Sequence, residues 1–459
     1  MKLILFLAAL PLAGHAAATV VRDLPTPAPA DSQCSNLTAA PDGTLHLTFS
    51  APSPNSELPT ATRALWHASL APGAVSFSAP RVIVSSPQLM ENWADFASLC
   101  VGTDGALTAQ WFQRIPGDTG HHGYDGWFSR STDGGATWRT PARLGHEFVA
   151  LAPLSAGRTL AVWLESTRHR EHLHGSSPTA SNRRSEIKNP KSAGPSPPAM
   201  KLLARLLAPD GAALGEWTVD PDVCTCCQNT VATLPGDRVF IGYRGHTPDD
   251  IRDNKFSLFD LAARTFTKPA TLRDDGWKIA ACPVNGPAAD AHGTALAAVW
   301  FTAADGAARV FARRSADAGR TFTAPVQLDL GRPMGRVETV MLADASALFL
   351  WMEHGTAANA AGIYARRLFP DGRLSAAQLV ADSTQARGSG FPRAALRPNG
   401  RVVMSWTRPG DPTRVQLCEL DPSALTRTST ASAPARSARP LVLELCDPTM
   451  VTLTFPPAK

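Results

Sequence analysis

Tyrosine is nearly absent from this chain, at 3 of 459 residues, and charged side chains are few, at 18%. No helical periodicity persists along the sequence, and no apolar stretch beyond the first residues approaches the ~20 needed to cross a bilayer as a helix. These gaps exclude a coiled coil and a helical membrane span, while 44% hydrophobic residues exclude global disorder. No Cys follows Leu12-Ala13-Gly14, so a lipoprotein signal is missing too. The first eighteen residues place Lys2 ahead of a short apolar run ending in small residues, which predicts a secretory signal cleaved near Ala17 or Ala18. A periplasmic or secreted protein is expected.

The formal net charge of +5 is unevenly placed. Lys2 supplies +1, residues 168–199 supply +4 and residues from Arg427 onward +2, which leaves the remainder at −2. A basic excess confined to leader, loop and tail gives no nucleic-acid footprint.

Glycine, proline and short alternating apolar runs recur throughout, the pattern of an all-β chain. One unit appears seven times: an apolar strand, a tight turn, then an apolar strand ending in an aromatic. The turns are Pro41-Asp42-Gly43, Thr103-Asp104-Gly105, Ser155-Ala156-Gly157, Pro235-Gly236-Asp237, Ala291-His292-Gly293, Asp344-Ala345-Ser346 and Pro398-Asn399-Gly400. The aromatics are Phe49, Trp111, Trp163, Tyr243, Trp300, Trp351 and Trp406, spaced by 62, 52, 80, 57, 51 and 55 residues. The one long interval holds the Ser-, Pro- and basic-rich stretch 166–199, which reads as a solvated insertion. Four-stranded sheets at this period predict a β-propeller over 19–420, with a tail at 421–459. Seven blades are favoured over six. The seventh unit shows only three strands, so Thr19–Asp23 is expected to close the ring.

Ser131-Thr132-Asp133-Gly134-Gly135-Ala136-Thr137-Trp138 and Ser315-Ala316-Asp317-Ala318-Gly319-Arg320-Thr321-Phe322 fit the Asp-box pattern S-x-D-x-G-x-x-W/F, with weaker copies at Ser76-Phe77 and Thr265-Phe266. The Asp caps its own turn, the Gly supplies positive φ and the aromatic fills the gap between sheets. Over roughly residues 32–420 the chain thereby resembles the sialidase-like, Asp-box (BNR-repeat) superfamily. That resemblance implies that Ser131, Asp133, Gly135, Trp138, Ser315, Asp317, Gly319 and Phe322 are structural. A second set of motifs is similar to bacterial secreted exo-α-sialidase-like proteins: Asn92-Trp93-Ala94-Asp95-Phe96, Cys224-Thr225-Cys226-Cys227-Gln228, Tyr243-Arg244, Ile251-Arg252-Asp253, Cys282-Pro283-Val284-Asn285-Gly286-Pro287, Gly335-Arg336-Val337-Glu338 and Ser389-Gly390-Phe391-Pro392-Arg393.

In a propeller, inner strands begin and second strands end on one face beside the axial channel. Those places hold Asp95, Cys227, Asn285, Arg336 and Arg393, and Glu165, Tyr243, Arg244, Glu353 and Arg408. The resemblance implies an exo-α-sialidase-like glycoside hydrolase acting on an anionic sugar. Arg244, Arg336 and Arg393 would clamp the carboxylate, with Asn285 also binding substrate; Asp95 would be the acid and Tyr243 the nucleophile activated by Glu338. Two departures stand against it. Arg114-Ile115-Pro116 falls in blade two rather than near the first strand, and sialidases have six blades.

The eight cysteines are at 34, 100, 224, 226, 227, 282, 418 and 446. Disulfides are the ordinary reading in an oxidising compartment. Cys418 with Cys446 would tie down the tail, and Cys34 and Cys100 lie in adjacent inner strands. Cys224, Cys226, Cys227 and Cys282 allow disulfides, such as Cys224 or Cys226 with Cys282, a vicinal bridge, a soft metal such as copper or zinc, or redox-active thiols. His121 and His122 sit in a Gly-rich loop, and no finger-like His spacing accompanies the thiols. Two functions follow: a glycosidase, or a non-catalytic propeller binding a small molecule, glycan, metal or partner protein at a cysteine-lined channel mouth.

Overall fold

A computed structural model describes residues 20–54, 62–118, 123–166 and 200–428. The expected signal, the insertion beyond Ser166, His121 and His122, and the tail beyond residue 428 with Cys446 lie outside the described residues.

Seven antiparallel sheets follow one another along the chain as the blades of a propeller. Blade 1 comprises Gln33–Ala39, Leu45–Pro52, Arg63–Leu70 and Arg81–Ser86, and blade 2 comprises Ser98–Val101, Leu107–Arg114, Tyr124–Ser131 and Ala142–Gly145. Blade 3 comprises Glu147–Pro153, Thr159–Ser166, Met200–Leu207 and Ala213–Asp220. In blade 4, Thr230–Leu234, Arg238–Arg244 and Asn254–Asp260 are followed by a fourth strand in two pieces, Thr265–Phe266 and Ala270–Thr271. Blade 5 comprises Ala288–His292, Ala295–Thr302, Arg309–Ser315 and Val326–Gln327, and blade 6 comprises Pro333–Met341, Ala347–His354, Ala360–Leu368 and Gln378–Thr384. Blade 7 contributes Arg393–Leu396, Val402–Arg408 and Arg414–Leu420, and Val21–Leu24 pairs antiparallel with the last of these, Val21 opposite Leu420. The ring therefore closes through the N-terminal strand, one to two residues beyond the expected 19–23.

The repeat explains the packing. Each of the seven aromatics lies in the second strand of its blade and is buried, and each interface between successive blades carries an apolar cluster. The turns between first and second strands all use a left-handed residue, such as Gly43 at φ +85° and Ala345 at +59°. Ring closure is also polar. Glu419, 1% exposed, accepts from Arg22 of the N-terminal strand and Arg397, each at 2.7 Å. A buried carboxylate so paired is costly to disturb from either end of the chain.

Both Asp boxes sit between the third and fourth strands, in blades 2 and 5, and repeat the same bonds. Asp133 Oδ1 accepts from Thr137 N at 2.9 Å and Ser131 Oγ from Gly135 N at 2.9 Å; Asp317 and Ser315 do likewise with Thr321 and Gly319. The hydroxyl and then the backbone N–H of Thr137 and Thr321 hold the two carboxyls far below the usual carboxylate range. Gly135 is needed twice over. Its φ is +86°, and a Cβ there would come within 2.7 Å of His67 Nδ1 in blade 1.

Candidate functional site

The inner strands begin on one face, and the segment Asn92–Phe96, which joins blades 1 and 2, contacts several blades across that face. Ala94 O accepts from Gln228 Nε2 of the loop before blade 4 at 2.7 Å, and Asn92 O accepts from Cys34 Sγ of blade 1 at 3.5 Å. Trp93 stacks on Phe391 at 5.9 Å and receives the Arg336 guanidinium at 4.8 Å. Phe96 packs against the same Phe391 at 6.2 Å, with Arg393 over its ring at 5.7 Å. One short segment thus touches blades 1, 4, 6 and 7 and forms a cap across that face. The crevice left beside Cys34, Trp93 and Phe391 has about 10 Å3, room for a water molecule at most.

Of the expected site residues, contacts join Arg244, Asn285 and Arg336 in one group and Arg393 with Glu338 in another, whereas Asp95 and Tyr243 engage other residues. Asp95, 3% exposed, accepts from Tyr124 Oη at 2.9 Å and Phe148 N at 3.0 Å; burial and neighbouring Glu147 push its carboxyl well up. Arg244, 2% exposed, donates from Nε and Nη2 to Asn285 O, from Nη1 to Arg252 O and from Nη2 to Phe301 O, at 2.6 to 3.1 Å, while its guanidinium lies 4.9 Å from the Trp277 ring. Asn285 Oδ1 accepts from Arg336 N at 2.7 Å, and Arg336 Nη1 donates to Ala386 O and Gly390 O. Arg393 pairs with Glu338 at 3.0 Å; burial raises that carboxyl and Arg393 opposes the rise. Tyr243 is fully buried and donates to Asp220 Oδ2 at 2.8 Å, and burial together with that carboxylate pushes the phenol far up. Glu165 and Glu353 accept from the indoles of Trp163 and Trp351, a repeated Trp-x-Glu bond, and Arg408 is exposed.

The remaining chemistry belongs to the loops of blades 4 and 5. Cys226 and Cys282 form a disulfide, one of the pairings that the spacing left open. Cys224 and Cys227 are buried free thiols with sulfurs 3.5 Å apart, and Cys224 Sγ is 4.0 Å from Cys226 Sγ. The sulfurs of Cys224, Cys226 and Cys227 all lie within 4.8 Å of one another, a spacing that fits a metal ion once Cys226 is released from its disulfide. Arg252 Nη1 donates to Cys224 Sγ at 3.4 Å. Burial acts to raise the Cys224 thiol, but the bond from Cys227 and the guanidinium groups of Arg252 and Arg244 outweigh it and bring the thiol down to about 5. Burial and the bond to Cys224 push Cys227 well up. Behind Arg252, Asp250 and Asp222 flank His246 at 3.3 and 2.7 Å. Cys34 and Cys100 do lie in adjacent inner strands, as free thiols, and Cys418 is likewise free and buried. Sequence reasoning missed Arg252, His246, Gln228, Tyr124 and Glu147; Arg252 and Gln228 lay in quoted motifs, and the others carry no local signal.

A groove of about 590 Å3 lies elsewhere, beside the Pro398-Asn399-Gly400 turn, and its Arg397 and Arg401 are already paired with Glu419 and Asp421.

No family model and no curated protein matches this chain. Solved structures do. The BP39L lectin of Burkholderia pseudomallei is similar at 9% identity over 84% of this chain and 95% of its own, with a TM-score of 0.53. A protein of unknown function from Dyadobacter fermentans gives 15% identity over 88% and 100%, with a TM-score of 0.44. The NanB sialidase of Streptococcus pneumoniae, as its K499G mutant, gives 10% over 86% and 69%, with a TM-score of 0.42. At these identities the likeness establishes the propeller fold alone.

Proposed function

We propose that the chain is a secreted, non-catalytic binding propeller whose chemistry is the cysteine centre of blade 4, and that this centre takes a soft metal ion. The observation that carries this reading is the convergence of the Cys224, Cys226 and Cys227 sulfurs within 4.8 Å, beside a guanidinium 3.4 Å from Cys224. Soft thiolates select copper(I) or zinc. With Cys226 freed from its disulfide, three thiolates around copper(I) carry a charge of −2, which Arg244 and Arg252 balance, and buried charge needs such pairing. A monovalent ion therefore suits this surrounding better than a divalent one.

The glycosidase reading asks for more than the site supplies. A carboxylate clamp needs guanidinium donors free for substrate, whereas Arg244 gives its own to backbone carbonyls and Tyr243 gives its hydroxyl to Asp220. Anaerobic titration of reduced protein with copper(I) against a bicinchoninate competitor is expected to give one ion per chain, lost in the Cys224→Ser/Cys227→Ser double variant. Hydrolysis of a fluorogenic sialoside, abolished in Arg336→Ala, would replace this reading with the enzymatic one.

A further inference from the structure

We infer that the Cys226–Cys282 disulfide is a redox gate on the metal centre: closed, it withholds the third sulfur ligand; opened by a dithiol, it delivers it. The inference rests on the metal-binding reading above and adds a control to it.

The geometry divides the four sulfurs unequally. Cys226 is 4% exposed and stands 4.0 Å from the Cys224 sulfur, whereas its partner Cys282 is only partly buried, with Thr225 Oγ1 at 3.2 Å. Reagents therefore reach Cys282 first, and the sulfur released inward is the one that faces the other thiols. While bonded to Cys282, Cys226 has no thiolate to offer, and the centre is left with the two free thiols of Cys224 and Cys227.

As a staple the disulfide is redundant. The loop carrying Cys226 and the segment carrying Cys282 are already tied by Gly286 N donating to Gln228 Oε1 at 2.9 Å, by Ala289 N donating to Thr230 Oγ1 at 3.0 Å, and by Arg244 spanning from blade 4 to Asn285 O. Gly286 is pressed so closely on the Gln228 backbone that a Cβ there would meet its carbonyl oxygen at 2.0 Å. Opening the bond leaves these contacts in place, which a bond needed for folding would not do.

The step balances with an external dithiol as reductant. One thiolate of the dithiol attacks Cys282 Sγ, forming a mixed disulfide and breaking the Cys226–Cys282 bond, with the electron pair leaving on Cys226. The second thiol of the reagent then attacks the reagent sulfur of that mixed disulfide, releasing Cys282 and the cyclised reagent disulfide. Two electrons pass to the protein, and the two protons of the dithiol end on the freed cysteines, that of Cys226 passing to solvent once a metal binds.

The test compares one protein in two states: oxidised, and reduced with dithiothreitol then desalted under argon, each titrated with copper(I) against bicinchoninate. The reduced form is expected to bind more tightly by over about a hundredfold, beyond what losing a mere supporting contact costs a metal site. Cys282→Ser, which cannot form the bond, is expected to bind as tightly as reduced protein without any reductant. Equal affinity in both states overturns the gate and leaves the metal reading intact. Absence of binding in both states overturns the gate and the metal reading together. A disulfide that dithiothreitol opens only when the near-UV circular dichroism collapses overturns the gate as well, since the bond is then structural.

Discussion

Arg244 distinguishes a propeller held together at its channel face from one that displays an arginine clamp. Arg244→Met keeps the length of the side chain and removes four hydrogen bonds, leaving the carbonyls of Arg252, Asn285 and Phe301 without this donor in a site that is 2% exposed. Hydrogen bonds to a charged group are each worth roughly 1.5–3 kcal/mol. Losses within one network are not additive, so the expected destabilisation is about 4–5 kcal/mol. With an unfolding entropy near 2.1 cal/mol/K per residue over the 365 described residues, this lowers the Tm by about 6 °C. Differential scanning fluorimetry and urea unfolding of the purified variant measure it. Arg244→Lys is expected to recover little, because an ammonium cannot reach three carbonyls from one planar fork. A Tm within one degree of wild type in both variants would refute the structural role and return Arg244 to the list of residues free for a ligand.

Three further outcomes follow from the same contacts. His67 is buried beside His46 at 2.8 Å, and burial together with the His46 charge brings its imidazole from 6.5 down to about 4. The unfolded chain therefore binds the proton first, so stability is full above pH 6.5 and is lost as pH falls through 4, by roughly 3 kcal/mol at most; His67→Gln is expected to flatten urea midpoints across that window. Glu419→Gln leaves Arg397, 5% exposed, without its carboxylate and is expected to cost about 3 kcal/mol and to free the N-terminal strand, seen as faster amide exchange in 21–24. Trp93→Ala removes the ring between Phe391 and Arg336 and opens the cap, so Cys34 is expected to react with a maleimide at least about tenfold faster than in wild type, as local opening controls access to a covered thiol.

The fold was readable because each blade announces itself within some fifty residues. A turn such as Pro398-Asn399-Gly400 is a local signal, its Asn accepting from Arg401 N, and so is a Trp ending the following strand. The site was readable only as positions. That Asp95, Asn285, Arg336 and Arg393 share one face follows from the repeat, but what each one touches does not. The cap depends on Trp93 finding Phe391 from the far end of the chain, and Arg244 depends on carbonyls from two blades. A guanidinium aimed at a substrate and one aimed at a carbonyl read identically in sequence. The Trp-x-Glu pairs at 163–165 and 351–353 were open to discovery, because they are repeat-equivalent and two residues apart on a strand share a face.

Mapping the cysteines of the folded protein, by alkylation under argon before and after dithiol reduction followed by peptide mass analysis, is the most direct test of the central claim. Cys226 and Cys282 are expected to become labelled only after reduction, whereas Cys224 and Cys227 are expected to carry no disulfide in either state and to be protected from label by added copper(I). A Cys224–Cys227 disulfide in the folded protein, unmoved by copper(I), would contradict that claim.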